Sequence, residues 1–369
     1  MQAPDGSLLL SWIEPLKGVH ALRFARYARG AWSAPRTVAE GRDWFVNWAD
    51  TPHIRATADG ALWAHWLRRS AAATYAYDVV LSRSADGGAT WSTPIAVNDD
   101  GTPTEHGFVS LWAAADSRIG VAWLDGRRTG GGEHAGHDGH GSGGAMTLRS
   151  AMFDAGLQRS GETELDASTC DCCQTDVVVT PRGALLAYRD RTTEEIRDIS
   201  VTRLERNTWA TPRIVHADGW RTPGCPVNGP AIAGHGERVL AAWYTESGGV
   251  PTVRMSSSPD AGDRFGAPRD LAGGPGVLGR VAVASAADAD WVGWLEEHDG
   301  AQTLQVARTS TDGSNTDTRT RVAEVQGRGR GTGTPQLVIA NGRLHAVWTD
   351  VVDGKPRLRG AVVETPAAR

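Results

Sequence analysis

The chain has no block of basic residues. Lys and Arg number 38 against 43 Asp and Glu, for a net charge of −5. A surface that neutralises phosphates needs clustered Lys and Arg, so no nucleic-acid partner is expected. No apolar run approaches eighteen residues, so no membrane-spanning helix is expected either. The opening residues, MQAPDGSLLL, do not set an apolar segment behind a charged one, and no signal peptide is visible. Cysteine is scarce. Of four in the chain, Cys170, Cys172 and Cys173 fall in the single stretch ASTCDCCQT, and Cys225 stands alone.

Glycine (45) and tryptophan (15) are abundant, which points to many turns and aromatic strands in an all-β protein. A short apolar strand ending in an aromatic recurs at Trp12, Trp66, Trp123, Tyr188, Trp243, Trp294 and Trp348. The intervals are 54, 57, 65, 55, 51 and 54 residues. Apolar runs precede and follow each copy, with turn sequences such as PDGS, ADGA and ANGR between them. Each unit therefore holds about four short antiparallel strands, and such units repeated around an axis make a β-propeller. Seven blades are expected, with six and an unusual closure as the alternative. The first unit shows no first strand and the last no fourth, so the C-terminus is expected to complete the first blade. Residues 1–369 are expected to form one domain, with a Gly/His-rich insertion over 129–145.

The turn between third and fourth strands carries SADGGATW (Ser84, Asp86, Gly88, Thr90, Trp91), which matches the S-x-D-x-G-x-T-W Asp box. SPDAGDRF (Ser258, Asp260, Gly262, Phe265) is a second copy, and STDGS from Ser310 a decayed third. On these motifs and the repeat, the whole chain resembles the sialidase (neuraminidase) superfamily of Asp-box (BNR-repeat) propellers. The resemblance implies an exported protein, periplasmic or secreted. Family enzymes hold the substrate carboxylate with three arginines and use an Asp acid/base and a Tyr nucleophile assisted by a Glu. The family's first arginine precedes an I-P pair, and that position is occupied here by Asp50. The residues available to such chemistry are Arg127, Arg189, Arg197, Asp125, Asp190, Tyr244 and Glu246.

In an antiparallel blade the loops between second and third strands share one face with the connections between blades. The Asp-box turns lie on the opposite face. The connection into the fourth unit carries Cys170, Cys172 and Cys173, and the next one carries Cys225. His53 and His106 occupy or adjoin the same connections in units two and three. The insertion in unit three adds His134, His137 and His140, followed by Met146. This set fits a soft transition-metal site, copper first and zinc second. A disulfide framework and a catalytic thiol stand beside it as readings of the same cysteines. Two residues beyond each repeating aromatic stand Glu14, Arg68, Asp125, Asp190, Thr245, Glu296 and Asp350, and five of the seven are acidic. The functional expectation is metal binding at the front face. Sialidase-type glycoside hydrolysis is the alternative, and a non-catalytic carbohydrate- or protein-binding propeller is the third reading. The partner is then a glycan, another small molecule or a metal.

Overall fold

The computed structural model describes residues 1–130, 144–311 and 318–363. They form seven antiparallel sheets arranged as the blades of a β-propeller, which settles the count at seven. Two short 3₁₀ turns, Ser247–Gly249 and Gly329–Thr332, are the helical pieces among the described residues. Blade 1 has Leu8–Leu16, Val19–Ala28 and an outer strand broken into Ala31–Trp32 and Arg36–Gly41. Its innermost position holds only the Gln2–Leu8 bridge. Blade 2 runs Ile54–Ala56, Leu62–Arg69, Tyr77–Ser84 and Ile95–Ala96. Blade 3 runs His106–Ala113, Ile119–Asp125, Thr147–Phe153 and Arg159–Asp166. Blades 4, 5 and 6 have their second strands at Gly183–Arg189, Arg238–Thr245 and Ala289–His298, and blade 7 stops at three strands, the last being Lys355–Val363.

By contact density the chain divides into two compact units. Met1–Asp171 with Pro223–Cys225 holds blades 1 to 3, and Cys172–Thr222 with Pro226–Arg369 holds blades 4 to 7.

The repeating aromatics build the blade cores. Trp123, Trp243 and Trp294 are buried, sealed among Val, Leu and Ile of neighbouring strands, and Tyr188 is buried as well. Period-two alternation explains this, because the aromatic and the residue two further on point to the same side of the strand. That second residue has a clear task. Asp125 accepts the Trp123 indole N–H at 2.7 Å, Glu296 accepts that of Trp294 at 2.6 Å, and Glu14 accepts that of Trp12 at 3.3 Å. In blade 5 the position is Thr245, and Asp218 takes the Trp243 indole instead at 2.6 Å. Buried indole N–H groups need an acceptor. The acidic ring at these strand ends is therefore largely structural.

The two turns Ser84–Trp91 and Ser258–Phe265 share one hydrogen-bond scheme. Ser84 Oγ donates to Asp86 at 2.7 Å and accepts from Gly88 N at 2.7 Å, and Asp86 accepts from Thr90 N at 2.9 Å. Ser258 Oγ donates to Asp260 at 2.7 Å and accepts from Gly262 N at 2.8 Å, and Asp260 accepts from Arg264 N at 2.9 Å. Gly262 has φ +91°, and a Cβ there would sit 2.3 Å from Leu185 Cδ2 of the preceding blade. The turn thus needs glycine twice over, for its backbone and for its packing.

Candidate functional site

In the first unit, the connections between blades bring three acidic groups together. Tyr77 opens the third strand of blade 2, bridges Glu105 through the backbone, and donates N–H to Thr104 O at 3.1 Å. Its ring is fully buried and stacked on Phe45, with centroids 4.0 Å apart and planes 10° from parallel. So fixed, its hydroxyl donates to Glu105 Oε1 at 2.5 Å. Asp50 is 6% exposed and accepts Phe108 N–H on Oδ2 at 2.6 Å. Gly107 makes this approach possible, since a Cβ there would meet Asp50 Oδ2 at 2.0 Å.

Burial pushes the Asp50 carboxyl up to about 7. Burial also lifts Glu105 to about 8. The Tyr77 hydroxyl opposes this, and the charges of Asp50 and Asp171 reinforce it. Tyr77 itself is held well above its ordinary value by burial and then by Glu105 and Asp50. Glu105 is the half-buried member. At neutral pH it is a protonated carboxylic acid aimed by a fixed phenol, the condition of a general acid. No motif in the sequence marked Tyr77 or Glu105. The available signal was positional: Asp50 and Glu105 both stand where the chain passes from one blade to the next.

Beside this cluster, His106 is fully buried, with Nε2 2.9 Å from Asp100 Oδ2 and 3.8 Å from Asp125 Oδ1. Its Nδ1 is 3.1 Å from Tyr77 O. Burial opposes its charge, but Asp100 and Asp125 outweigh burial and raise its pKa. Arg127 grips Asp125 with Nε and Nη2, both at 2.7 Å, and reaches Glu162 at 3.1 Å and Asp100 at 3.4 Å. Asp100, His106 and Asp125 offer donor atoms within 4.8 Å of one another and could hold a metal by distance. Arg127 already engages Asp125 and Asp100 as their cation, which disfavours a metal ion. Asp125, with no exposed surface and its oxygens on Trp123 and Arg127, is a structural acceptor rather than a catalytic acid.

In the second unit, the arginines expected to bind substrate are also engaged. Arg189 is 2% exposed and donates to three carbonyls: Asn228 O at 2.9 Å, Arg197 O at 2.6 Å and Tyr244 O at 2.7 Å. Arg197 and Arg191 share Glu195, at 2.9 and 2.7 Å. Asp190 accepts Arg191 N at 2.7 Å. Tyr244 is 9% exposed, and burial followed by the charge of Glu246 pushes its phenol up to about 12, which holds it protonated. Glu246 lines a cleft of about 370 Å³ with Ser247, Gly248, Gly249 and the Gly219–Thr222 segment.

Cys172 and Cys225 are disulfide-bonded, which removes both from any set of thiolate ligands. Cys170 and Cys173 are buried thiols. The sulfurs of Cys170, Cys172 and Cys173 lie within 4.8 Å of one another, so this group could hold a metal through its two thiols. The ring of His53 meets His65 edge-on with centroids 5.4 Å apart, and burial followed by Arg55 pushes its pKa down to about 4. Met146 is buried. His134, His137 and His140 lie outside the described residues.

Three solved structures share this architecture. A protein of unknown function from Dyadobacter fermentans DSM 18053 superposes with a TM-score of 0.56 at 14% identity, over 97% of this chain and 98% of that one. The NanB sialidase of Streptococcus pneumoniae gives a TM-score of 0.50 at 9% identity, over 89% and 80% of the two chains. Likenesses this remote show a shared β-propeller fold. The polysaccharide lyase Uly1 also gives 0.50 at 9% identity, over 95% and 88%. No family model and no curated protein matches the sequence. A propeller fold carries many chemistries, so function rests on the site.

Proposed function

We propose that this propeller is an exported carbohydrate-active protein that cleaves glycosidic bonds, with Glu105 as the general acid. The observation that carries the reading is the 2.5 Å bond from buried Tyr77 to half-buried Glu105. Burial, Asp50 and Asp171 together keep the Glu105 carboxyl protonated at neutral pH. In the reaction Glu105 passes its proton to the glycosidic oxygen as the bond to the anomeric carbon breaks, and water adds at that carbon while its proton passes to the Glu105 carboxylate. Asp171, whose charge also bears on Glu105, is a further carboxylate of the neighbourhood beside Asp50. Tyr77 and Asp50 are positioning residues: one aims the carboxyl and the other holds its proton. Disulfide bonding of Cys172 and of Cys225 supports export, since such bonds persist in oxidising compartments.

A sialidase-type carboxylate clamp is the weaker form of this reading, because Arg127, Arg189 and Arg197 all donate to internal acceptors. The test is release of reducing ends from neutral, uronate-containing and sialylated oligosaccharides. Glu105→Gln is expected to abolish release. Tyr77→Phe is expected to lower kcat and shift the upper pH limb, with KM little changed. No turnover on any arm by the intact protein removes the reading.

A second reading follows from the close sulfurs. Cys170 and Cys173 bind one soft ion, copper(I) before zinc, as a thiolate pair. Titration of the non-reduced protein with Cu(I) and with Zn(II), against Cys170→Ser, tests it. Equal uptake by protein and variant rejects it.

A further inference from the structure

The second unit carries a cleft that the Glu105 chemistry does not use. One wall is Gly219, Trp220, Arg221 and Thr222, and the other is Glu246 to Gly249. Both walls are fixed from behind. Asp198, 5% exposed, accepts Gly219 N at 3.0 Å and Trp220 N at 3.1 Å. Ser247 Oγ ties the walls together by donating to Asp218 O at 2.7 Å, and Asp218 is itself held by Trp243 at 2.6 Å and Arg254 at 2.5 Å. Trp220 packs edge-on against Tyr244, centroids 5.6 Å apart, with the Arg189 guanidinium 4.8 Å from its ring centroid. Arg221 is anchored by Nε to Glu194 O at 2.7 Å, and Thr222 N to Glu195 O at 3.0 Å. Such a site is formed before any ligand arrives, so little ordering cost opposes binding. Its volume of about 370 Å³ falls in the range of small-molecule sites.

The lining decides the ligand. Arg221 can only donate hydrogen bonds, and the oxygens of the Glu246 side chain accept them. A ligand anion would meet the carboxylate of Glu246, and a ligand cation would meet the guanidinium of Arg221. A polyhydroxylated neutral ring satisfies both, since each hydroxyl donates and accepts at once. Thr222 adds an oxygen of the same dual kind, Ser247 Oγ adds an acceptor because its proton is committed to Asp218 O, and the Gly248–Gly249 rim adds no side chain.

We infer that this cleft is a second saccharide site, which binds a neutral pyranose unit between Arg221 and Glu246. The site stands apart from the Glu105 reading and survives its failure. The experiment is saturation-transfer NMR and calorimetry on the full chain with neutral pyranose oligosaccharides. A uronate-containing and a sulfated oligosaccharide form the anionic arm. Neutral oligosaccharides are expected to bind, and Arg221→Ala and Glu246→Ala each to weaken binding by about tenfold or more. Thermal melting of each variant checks that the fold is intact. Should both variants lose the fold, Arg221→Lys and Glu246→Gln replace them, with the same loss of binding expected. Glu105→Gln is expected to leave this binding in place. Absence of neutral-sugar binding overturns the inference, as does binding unchanged in the wall variants. Binding abolished by Glu105→Gln overturns it too, because the ligand would then sit in the first unit.

Discussion

Replacing Glu105 with glutamine is expected to make the protein more stable while it destroys activity. In the unfolded chain this carboxyl titrates near 4.5, and in the fold burial lifts it to about 8. Between those two pH values the native state keeps a proton that the unfolded chain has released. Stability therefore falls as pH rises through this window, and the full loss is in place above about 8. At about 1.36 kcal/mol per pH unit the upper bound is roughly 5 kcal/mol. The side chain is only half-buried and its surroundings can adjust, so about 2–3 kcal/mol is the working expectation. Glutamine keeps the carbonyl that accepts the Tyr77 hydroxyl and cannot ionise, so this part of the slope should vanish. Asp50, lifted to about 7, contributes a slope of the same sign, which the variant retains. Urea unfolding from pH 5 to pH 9, followed by circular dichroism, reads the difference. The two proteins should match near pH 5 and diverge by about 2–3 kcal/mol at pH 9. Parallel profiles would show that Glu105 is already ionised in the native state, and the general-acid reading would fall with it.

Gly262→Ala is expected to cost about 2–4 kcal/mol, since it forces a positive φ on alanine and drives a methyl into Leu185; thermal melting measures it. Asp125→Ala strips the acceptor from Arg127 and from the Trp123 indole, and a loss of about 3–5 kcal/mol in denaturant unfolding is expected. Retention of near-wild-type stability would contradict the structural role given to Asp125. Cys225→Ser removes a disulfide-bonded cysteine, and a cost of about 2–5 kcal/mol is expected under non-reducing conditions. The same variant under reducing conditions should differ little from the reduced parent protein.

The repeat of Trp, Tyr and apolar strands was enough to read seven blades, because strand periodicity and turn residues act locally. The Ser84 and Ser258 turns lie between third and fourth strands, as expected from the repeat. What the loops do was less legible. Asp125 and Arg127 looked like catalytic groups surrounded by charge. A tryptophan with an acid two residues further on recurs at Trp12–Glu14, Trp123–Asp125 and Trp294–Glu296, and that spacing was the available sign of an indole acceptor. Arg189 resembled a substrate clamp, and the three carbonyls that claim it come from segments far apart in sequence. Glu105 could not be singled out from its neighbours in TEHGFVSL. Its proton affinity arises from desolvation and from Asp50, which packing alone brings near.

Arg189 has a consequence for anyone reshaping the second unit. Its positive charge is balanced by carbonyl dipoles of Asn228, Arg197 and Tyr244 rather than by a carboxylate. Three segments are thereby keyed to one side chain, like arches sharing a keystone. Loops grafted onto any of them inherit its position, and a lysine in its place, with a single nitrogen, would leave at least one segment unmoored.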